Sequence, residues 1–405
     1  MTNVVESILK SMSSVNKPQR LFLTHLFSTL MLFQGKATFR NLSRYSRFSE
    51  RTFSRWYQRN FSFLTFNTFL HRQFFINNEC IAAIDASFVS KSGKMTEGLA
   101  QFYNGARSIA EKGLEISLIC IIDIKSNTAY SVDAKQTIDD NEKEDKGDEK
   151  NKTRVDLYIE QVQRVAPNLL KSNITYLAAD AFYSKVKFVT AVVDSGLEMI
   201  GKLRIDANLC WLYEGEQSGK GRPKKYDGKV DIHNHLDLFT RKTILDNGLK
   251  LYSNILYSHS LKMKINVVVV EFVRSDKIGH IILFSTDLGL VSEKILSHYQ
   301  SRFQIEFIFR DAKQYTGMTH CQSRKSIAIE NHVNASLTSL NLLKIEDRNE
   351  KCTQDKSVIS IASWKRRKYN QHLVEKVIKG LGFSMKSEKV TSVYRELRDY
   401  GVIGF

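Results

Sequence analysis

Ile81-Ala-Ala-Ile84-Asp85 and Ile174-Thr-Tyr-Leu-Ala-Ala179-Asp180 are the two stretches that decide the fold of this chain. Each is a short apolar run with the length and composition of a buried strand, and each run ends in an aspartate. A third run, Leu114 to Ile124, is longer and rich in isoleucine, and it predicts another strand. Because helical patterns lie between and after these runs, we predict an α/β protein.

The regions around these strands predict further elements. A helix is expected from Ser184 to Asp194, and a strand from Met199 to Leu203. Residues 204–280 combine Gly, Lys and Tyr with apolar runs and predict a β-rich insertion. The charged stretch from Asp139 to Arg154 predicts a solvated loop, and an amphipathic helix is expected from Arg154 to Val165.

The overall charge indicates a polyanionic partner. The 405 residues include 60 Lys and Arg against 43 Asp and Glu, a formal net charge of +17. Nucleic acid is the obvious candidate, because binding to phosphates releases counterions. No run of about 18 apolar residues is present, so no membrane span is predicted and we expect a cytoplasmic protein. The five cysteines stand singly, which favours reduced thiols over a zinc site.

The first part of the chain predicts a small basic helical domain, with 11 Lys and Arg and 3 acidic residues among residues 1–80. A helix-turn-helix is expected, with helices at 41–46 and 50–60 and Ser49 as the cap of the second.

On the second helix, Arg51, Arg55 and Arg59 repeat every four residues, while Phe53 and Trp56 belong to the opposite face. One face is expected to pack and the other to lie against DNA. The alternative is a solvated arginine stripe on a surface helix.

Four polar residues near the C-terminal third, Tyr299, Arg302, Glu306 and Lys313, are predicted to share one face of a single helix. Because an α-helix turns about 100° per residue, they fall within an arc of about 60°. The opposite arc is apolar and contains Ile305, Ile308, Phe309 and Ala312. The helix can therefore bury one side and present a carboxylate flanked by two cations and a phenol.

Asp85, Asp180 and Glu306 are predicted to converge, because ligands gather at the carboxyl ends of parallel strands. Three close carboxylates repel one another unless divalent cations neutralise them. Oxygen ligands favour Mg²⁺ or Mn²⁺ over Zn²⁺, and two such ions could drive in-line attack on a phosphodiester. Singly, an aspartate after a strand is more often a turn or capping residue.

Together, these residues resemble a known family. Tyr299-x2-Arg302-x3-Glu306-x6-Lys313 is similar to the Y-R-E-K signature of insertion-sequence DDE transposases of the IS-four family. Residues 84–94 resemble that family's first-aspartate block and 177–183 its second, and Ser285-Thr-Asp287 is also similar to what those enzymes carry. The resemblance covers about residues 80–345.

The resemblance implies an RNase H-like mixed-sheet core in which Asp85, Asp180 and Glu306 hold two Mg²⁺ ions, with Mn²⁺ as a possible substitute. It implies that Tyr299 and two cations, Arg302 and Lys313, contact phosphates at the transposon end. Excision in relatives proceeds through nicking, a hairpin, hairpin opening and strand transfer. The implied partners are double-stranded DNA, as terminal inverted repeats and target, and a second copy of the chain in a homodimeric synaptic complex. A bacterial, nucleoid-associated location is also implied.

The resulting domain prediction has five parts. They are a helical basic DNA-binding domain at 1–78, the first part of the core at 79–203, the β-rich insertion at 204–280, the second part of the core with the signature helix at 281–345, and a helical, basic C-terminal region at 346–405.

Further residues are candidates for DNA contact. Lys91, Lys94, Arg204 and the loop from Lys220 to Lys225 are predicted to follow the DNA backbone, the alternative being a solvated surface. Members of the family use an aromatic residue of the insertion to hold a flipped base, and Trp211 is the candidate here, with core packing as the alternative.

His320, Cys321, His332 and Asn334 follow the signature and are predicted to be structural. Two rival functions remain at this stage. One is a DNA-binding regulator derived from a transposase, and the other is an RNase H-like nuclease that does not transpose.

Overall fold

The structure is a computed structural model. It describes residues 2–75, 78–137, 152–217, 219, 221, 223–232, 234–246, 248–274, 277–351 and 358–403. The chain divides into two compact units: unit 1 comprises Met1–Asn78, Ala86–Asp140 and Ile305–Phe405, and unit 2 comprises Glu79–Asp85 and Asn141–Gln304.

The first residues of unit 1 are helical. Aromatic packing holds these helices together: the Phe22 ring stacks on Trp56 at 5.4 Å and meets the edge of Phe53 at 5.5 Å. Phe27 and Phe66 are fully buried. The helices are α1 Thr2–Ser11, α2 Lys17–Leu32, α3 Phe39–Arg44, α4 Glu50–Trp56 and α5 Phe63–Phe75.

Unit 1 also contains an antiparallel set of strands. The long central strand, Ile109–Asp123, pairs through its first residues with the strand Ala100–Asn104, with Gly113 opposite Ala100. The rest of its length pairs with the strand Thr128–Thr137. Gly113 is required there, because a Cβ would lie 2.4 Å from the Phe88 ring. The strands are β1 Cys80–Ser90, whose second half belongs to this unit, β2 Ala100–Asn104, β3 Ile109–Asp123 and β4 Thr128–Thr137.

Asparagines of one long helix, α10 (Ser326–Lys351), cover the outer edge of β4. Asn334 accepts from the Ala134 N–H at 3.0 Å and donates to its carbonyl at 2.8 Å, and Asn341 does the same at Ser131. The edge strand is thus paired by side chains instead of another strand. The other C-terminal helices are α9 Gln304–Asp311, α11 Ile361–Gly380 and α12 Glu388–Arg398.

Unit 2 is built on a mixed sheet. The order is β1-β5-β6-β12-β11-β10-β7-β8, with β9 also paired to β10. The pairs β1–β5 and β5–β6 are parallel. The pairs β6–β12, β12–β11, β11–β10, β10–β9, β10–β7 and β7–β8 are antiparallel. The strands are β5 Tyr176–Ala178, β6 Glu198–Leu203, β7 Leu209–Leu212, β8 Tyr226–Lys229, β9 Arg241–Ile244, β10 Lys250–Ser258, β11 Met263–Arg274 and β12 Lys277–Ser285.

The helices of unit 2 cover this sheet. They are α6 Arg154–Leu170, α7 Val186–Asp194 and α8 Ser292–Ser301. Ile295 of α8 packs with Ile200, Val268 and Leu283 in the core, and Tyr299 packs against the same cluster. No helix in the described ranges is both long and apolar enough to cross a membrane.

The α/β prediction is confirmed, and several local predictions are wrong. The first strand does not end at Asp85, since β1 continues to Ser90. Tyr299 to Lys313 is not a single helix: α8 ends at Ser301, a turn follows at 302–303, and a π-helical turn (Ala312–Thr316) follows α9. Of the loop predicted from Asp139 to Arg154, residues 139–151 lie outside the part of the chain that the structure describes.

Candidate active site

Two neighbouring parallel strands position Asp85 and Asp180. The register pairs Ala82 with Leu177 and Ala83 with Ala178; Asp85 follows two residues later on β1, and Asp180 follows two residues after the end of β5. Residues in register on parallel strands point to the same face, about 5 Å apart, so we expect the two carboxylates to lie near each other. This parallel pairing is what the predicted convergence of Asp85 and Asp180 requires.

Asp180 also has a local role. It is the N-cap of a 3₁₀ turn, Ala181–Tyr183, and its Oδ1 accepts from the Phe182 N–H at 2.9 Å. This bond orients the carboxylate at the end of β5. The capping role expected of an isolated aspartate is therefore present, and it does not occupy both carboxylate oxygens.

Arg302 brings a positive charge to the first aspartate. It is the C-cap of α8, and its Nη1 lies 3.7 Å from Oδ2 of Asp85. Its side chain is only 14% exposed, so this charge is little screened by solvent. The guanidinium also lies 5.6 Å from the centre of the Tyr299 ring.

Tyr299 lies close to the same charges. Burial raises the pKa of its phenol; the positive charge of Arg302 opposes that rise and the negative charge of Asp180 adds to it. The hydroxyl is therefore protonated at neutral pH and available as a hydrogen-bond donor.

Glu306 lies in unit 1, in the first turn of α9. Its residue is exposed, while Ile305 and Ile308 on the opposite face are 0% exposed and Phe309 is 6% exposed. The predicted apolar face is confirmed. The carboxylate is thus carried by a helix whose other side is anchored in the core of unit 1.

Lys313 is anchored to the second half of β1. Its Nζ donates to Ser87 Oγ at 2.7 Å and to the Phe88 carbonyl at 3.0 Å, and burial lowers the pKa of its ammonium group. It lies in the π turn, a feature often found at functional sites. Gly317 ends that turn with φ of 76°, where a Cβ would lie 2.4 Å from Ala37.

The acidic residues suit a magnesium site by chemistry. Asp85 and Asp180 supply oxygen ligands only, the kind that Mg²⁺ prefers. Within either unit, the described residues contain no ready-made group of three His, Cys, Asp or Glu side chains that could hold a metal. Because Glu306 belongs to unit 1 and the two aspartates to unit 2, the convergence of all three stays a prediction.

The helix-turn-helix residues are only partly as expected. Ser49 caps α4 by accepting from the Thr52 N–H, which confirms that prediction. Arg51 and Arg55 are exposed on α4, but the helix ends at Trp56. Arg59 therefore lies beyond it, with its guanidinium 4.3 Å from the Trp56 ring centre, so the predicted arginine repeat on one helix is wrong at its last member.

The remaining basic candidates differ in their surroundings. Lys94 is exposed, whereas Lys91 is half-buried and donates to the Cys321 carbonyl. Arg204 is 82% exposed and forms a two-bond ion pair with Asp206, at 2.9 and 3.0 Å. Lys220 lies outside the part of the chain that the structure describes.

A basic cavity of about 460 Å³ in unit 1 adds two residues that the sequence patterns did not indicate. Lys36 and Arg324, both exposed, line it together with Lys91 and Lys94. Both residues lie in loops, where no periodicity marks them. Their basic charge was the one available signal.

Trp211 lies on β7 and is half-buried, and its ring meets the edge of Phe239 at 5.3 Å. This contact agrees with the alternative of core packing. Trp211 as a base-stacking residue stays a prediction.

The residues predicted to be structural make structural contacts. His320 Nδ1 accepts from the Ala37 N–H at 3.0 Å, and His332 Nε2 lies 2.8 Å from the Gly317 carbonyl. In unit 2, Asp287 of the Ser-Thr-Asp motif accepts from the Tyr176 hydroxyl at 2.7 Å. That motif therefore ties β5 to the end of β12.

Comparison with known families places the chain. The family model described as "Transposase DDE domain" matches residues 77–342, a span that includes both aspartates and Glu306. No curated protein matches the chain. The match extends over more than half of the sequence, over β1, which carries Asp85, and over β5, which ends two residues before Asp180. The chain therefore belongs to the family of proteins with a transposase DDE domain.

Proposed function

We propose that this transposase belongs to the IS-four type and mobilises its own insertion sequence by cut-and-paste transposition, with a hairpin at the transposon end as intermediate. The family supports a transposase that acts on DNA and uses divalent metal ions. Its DNA substrates are the terminal inverted repeats and the target, and a homodimer brings the two ends together. The protein acts in the bacterial cytoplasm, at the nucleoid.

The observation that supports the proposal is the parallel register of β1 and β5, whose continuation past the end of β5 would bring Asp85 and Asp180 side by side. Parallel strands deliver two carboxylates to one face at a spacing that a shared cation can bridge. Two carboxylates side by side repel each other, and Arg302 supplies a single positive charge against Asp85, so a divalent cation would neutralise the remainder.

Asp85, Asp180 and Glu306 are the residues proposed to hold two Mg²⁺ ions, which Mn²⁺ can replace. When bound, such ions supply an activated oxygen nucleophile and stabilise the leaving oxygen. The chain itself contributes orientation: the N-cap bond holds Asp180, and Arg302 lies against Asp85.

Tyr299, Arg302 and Lys313 are proposed to hold phosphates at the transposon end. A guanidinium matches the geometry of phosphate oxygens, and a protonated phenol can donate a further hydrogen bond. Burial of Arg302, with a 14% exposed side chain, strengthens its interaction with an anion.

The N-terminal helices are proposed to recognise the inverted repeats through Arg51 and Arg55, with Arg59 next to them. Lys91, Lys94 and Arg204 are proposed to contact the DNA backbone, and Trp211 a flipped base. The domain division proposed remains 1–78, 79–203, 204–280, 281–345 and 346–405.

The test compares Asp85→Asn, Asp180→Asn and Glu306→Gln with wild type on DNA that carries the inverted repeats flanking the reading frame. Each change keeps the shape and removes the charge, so we expect cleavage to fall by about a thousandfold or more while DNA binding persists. Denaturing gels distinguish a hairpin from a simple nick. Glu388→Gln is the matched control, since Glu388 is also exposed in the first turn of a helix.

Cleavage by Glu306→Gln at the wild-type rate would refute the proposed role of Glu306. Mg²⁺-dependent nicks without hairpins or joined products would favour a nuclease. A footprint without any nicking would favour a regulator.

A further inference from the structure

A second cavity of unit 1, of about 560 Å³, is lined by rings and cations. Phe33 at the end of α2 and Tyr315 in the π turn line it, together with Tyr369 on α11 and Tyr400. The volume is within the usual range for small-molecule sites. None of the cavity's residues belongs to the proposed metal site or phosphate contacts.

The cations of this cavity are Lys365 and Arg366, and no carboxylate lies among the described residues that line it. They belong to the basic run Trp364-Lys-Arg-Arg-Lys368, to which the proposed function assigns no role. Lys365 is only 7% exposed. A basic side chain this deeply buried is unusual without an anionic partner.

Carbonyl groups and a ring surround the Lys365 ammonium group. Its Nζ donates to the carbonyls of Tyr315 at 2.7 Å and Leu30 at 3.3 Å, and it lies 3.6 Å from the centre of the Phe33 ring. Burial lowers the pKa of this group to about 7. An anion in the cavity would favour the charged form and stabilise it.

Tyr400 presents an exposed ring on an anchored backbone. The ring residue is 75% exposed, while its carbonyl accepts from Asn370 Nδ2 at 2.9 Å. The next carbonyl, of Gly401, accepts from Arg366 at 2.5 Å. Two hydrogen bonds thus anchor the backbone of Tyr400 and Gly401 at the cavity, and the Tyr400 residue stays largely exposed to solvent.

We propose that this cavity binds one unpaired nucleotide of a DNA strand, with the base against Tyr400 and its neighbouring rings and the phosphate near Lys365 and Arg366. Rings bind a base face, cations bind a phosphate, and the lack of a lining carboxylate removes repulsion. A base in a duplex has no open face, so the occupant is an unpaired nucleotide.

The basic cavity described above continues the path for the strand. Gly35 lines the ring-lined cavity and Lys36, the next residue, lines the basic one. The sugar-phosphate backbone of a DNA strand that leaves the ring-lined cavity on this side would meet the cations of the basic cavity. This inference needs one part of the proposed function, namely that the chain acts on DNA.

The test measures binding by the full chain, without metal, of a labelled blunt duplex and of the same duplex with a single-stranded extension. We expect Tyr400→Ala to weaken binding of the extended duplex by about 5- to 100-fold and to leave the blunt duplex unchanged. Tyr400→Phe keeps the ring and should bind as wild type does. Tyr103→Ala is the matched control, since Tyr103 is also an exposed tyrosine of unit 1, at 62%, and does not line the cavity.

Arg366→Gln should also weaken binding of the extended duplex, and the loss should shrink as salt rises. The proposal is overturned if Tyr400→Ala binds both duplexes as wild type does, if Tyr400→Phe loses as much as Tyr400→Ala, or if free dAMP competes as well as the extended strand. Cleavage is not measured in this test, so its failure is distinct from failure of the proposed function.

Discussion

Two groups of basic side chains in unit 1 carry the same charge in opposite surroundings. Lys313, Lys344 and Lys365 are largely buried, and each donates to backbone carbonyl groups. Arg51 and Arg55 stand exposed on α4. Burial lowers the pKa of each of the three lysines, which shows that their surroundings oppose the charge.

This difference in burial suits the two groups of cations to different functions. A buried ammonium group is costly, so its position is fixed by the groups around it and its field is strong at short range. An exposed guanidinium costs little, and salt screens it beyond about 10 Å. The buried lysines are therefore suited to positioning, and the exposed arginines to attraction of DNA.

The largest effect should come from Lys313→Met, which keeps the volume and removes the charge. We expect cleavage to fall by about a hundredfold or more, because a fixed cation near developing charge is worth that much. Lys344→Met is the matched control: Lys344 is also buried, and it donates to the Ala129 carbonyl at 2.9 Å.

Both substitutions remove a buried hydrogen bond to a backbone carbonyl and should reduce the free energy of unfolding by about 1–3 kcal/mol. Thermal denaturation measures that loss separately from cleavage rates. Equal losses of cleavage in the two variants would show that Lys313 acts through stability alone. The distinction between buried positioning lysines and exposed DNA-attracting arginines would then be wrong.

The next effect concerns buried histidines, which should make the protein sensitive to acid. Burial lowers the pKa of His332 to about 4 and that of His71 to about 4. Between pH 6.5 and 4 the unfolded chain binds these protons and the native chain does not, so stability falls as pH falls. Each histidine contributes up to about 1.4 kcal/mol per pH unit, which urea denaturation across that range measures.

His332→Gln keeps a donor and removes the titration, so its stability should fall less steeply with acid than that of wild type. His235→Gln, at an exposed position, should leave the slope unchanged. An unchanged slope in His332→Gln would contradict the prediction.

The smallest effect should come from the exposed group. The double change Arg51→Gln with Arg55→Gln should weaken DNA binding uniformly across sequences and reduce the slope of log affinity against log salt by about 1.8. A salt titration of binding measures this slope. Lys389→Gln with Arg395→Gln, on exposed positions of α12, removes the same charge elsewhere and is the control.

If both double variants reduce the slope equally, the arginines of α4 act only through net charge. Their assignment to a DNA-binding face would then be wrong.

Several features could be predicted from the sequence because they depend on neighbours within a few residues. The apolar runs before Asp85 and Asp180 indicated buried strands, Ser49 indicated a cap, and the spacing of Ile305 and Ile308 indicated a packed face. The acidic residues could be chosen because their chemistry and spacing match a family signature.

Other features could not be predicted, because they depend on contacts far along the chain. β1 continues past Asp85 since its second half pairs within unit 1, and strands β2 and β4 were not anticipated. The helix predicted from Tyr299 to Lys313 breaks at 302–303, although its helical periodicity continues across the break.

The sequence by itself determined the buried runs before Asp85 and Asp180, the side chains that carry acid and base, and the family that the chain resembles, because local spacing and residue chemistry contain that information. The tertiary structure alone decided that β1 pairs with β5 in the register that matches Ala83 to Ala178, that Lys313 is held by Ser87 and Phe88, and that Lys365 is buried beside a ring-lined cavity. Register and loss of solvent arise from partners distant in the sequence, and no local pattern encodes them.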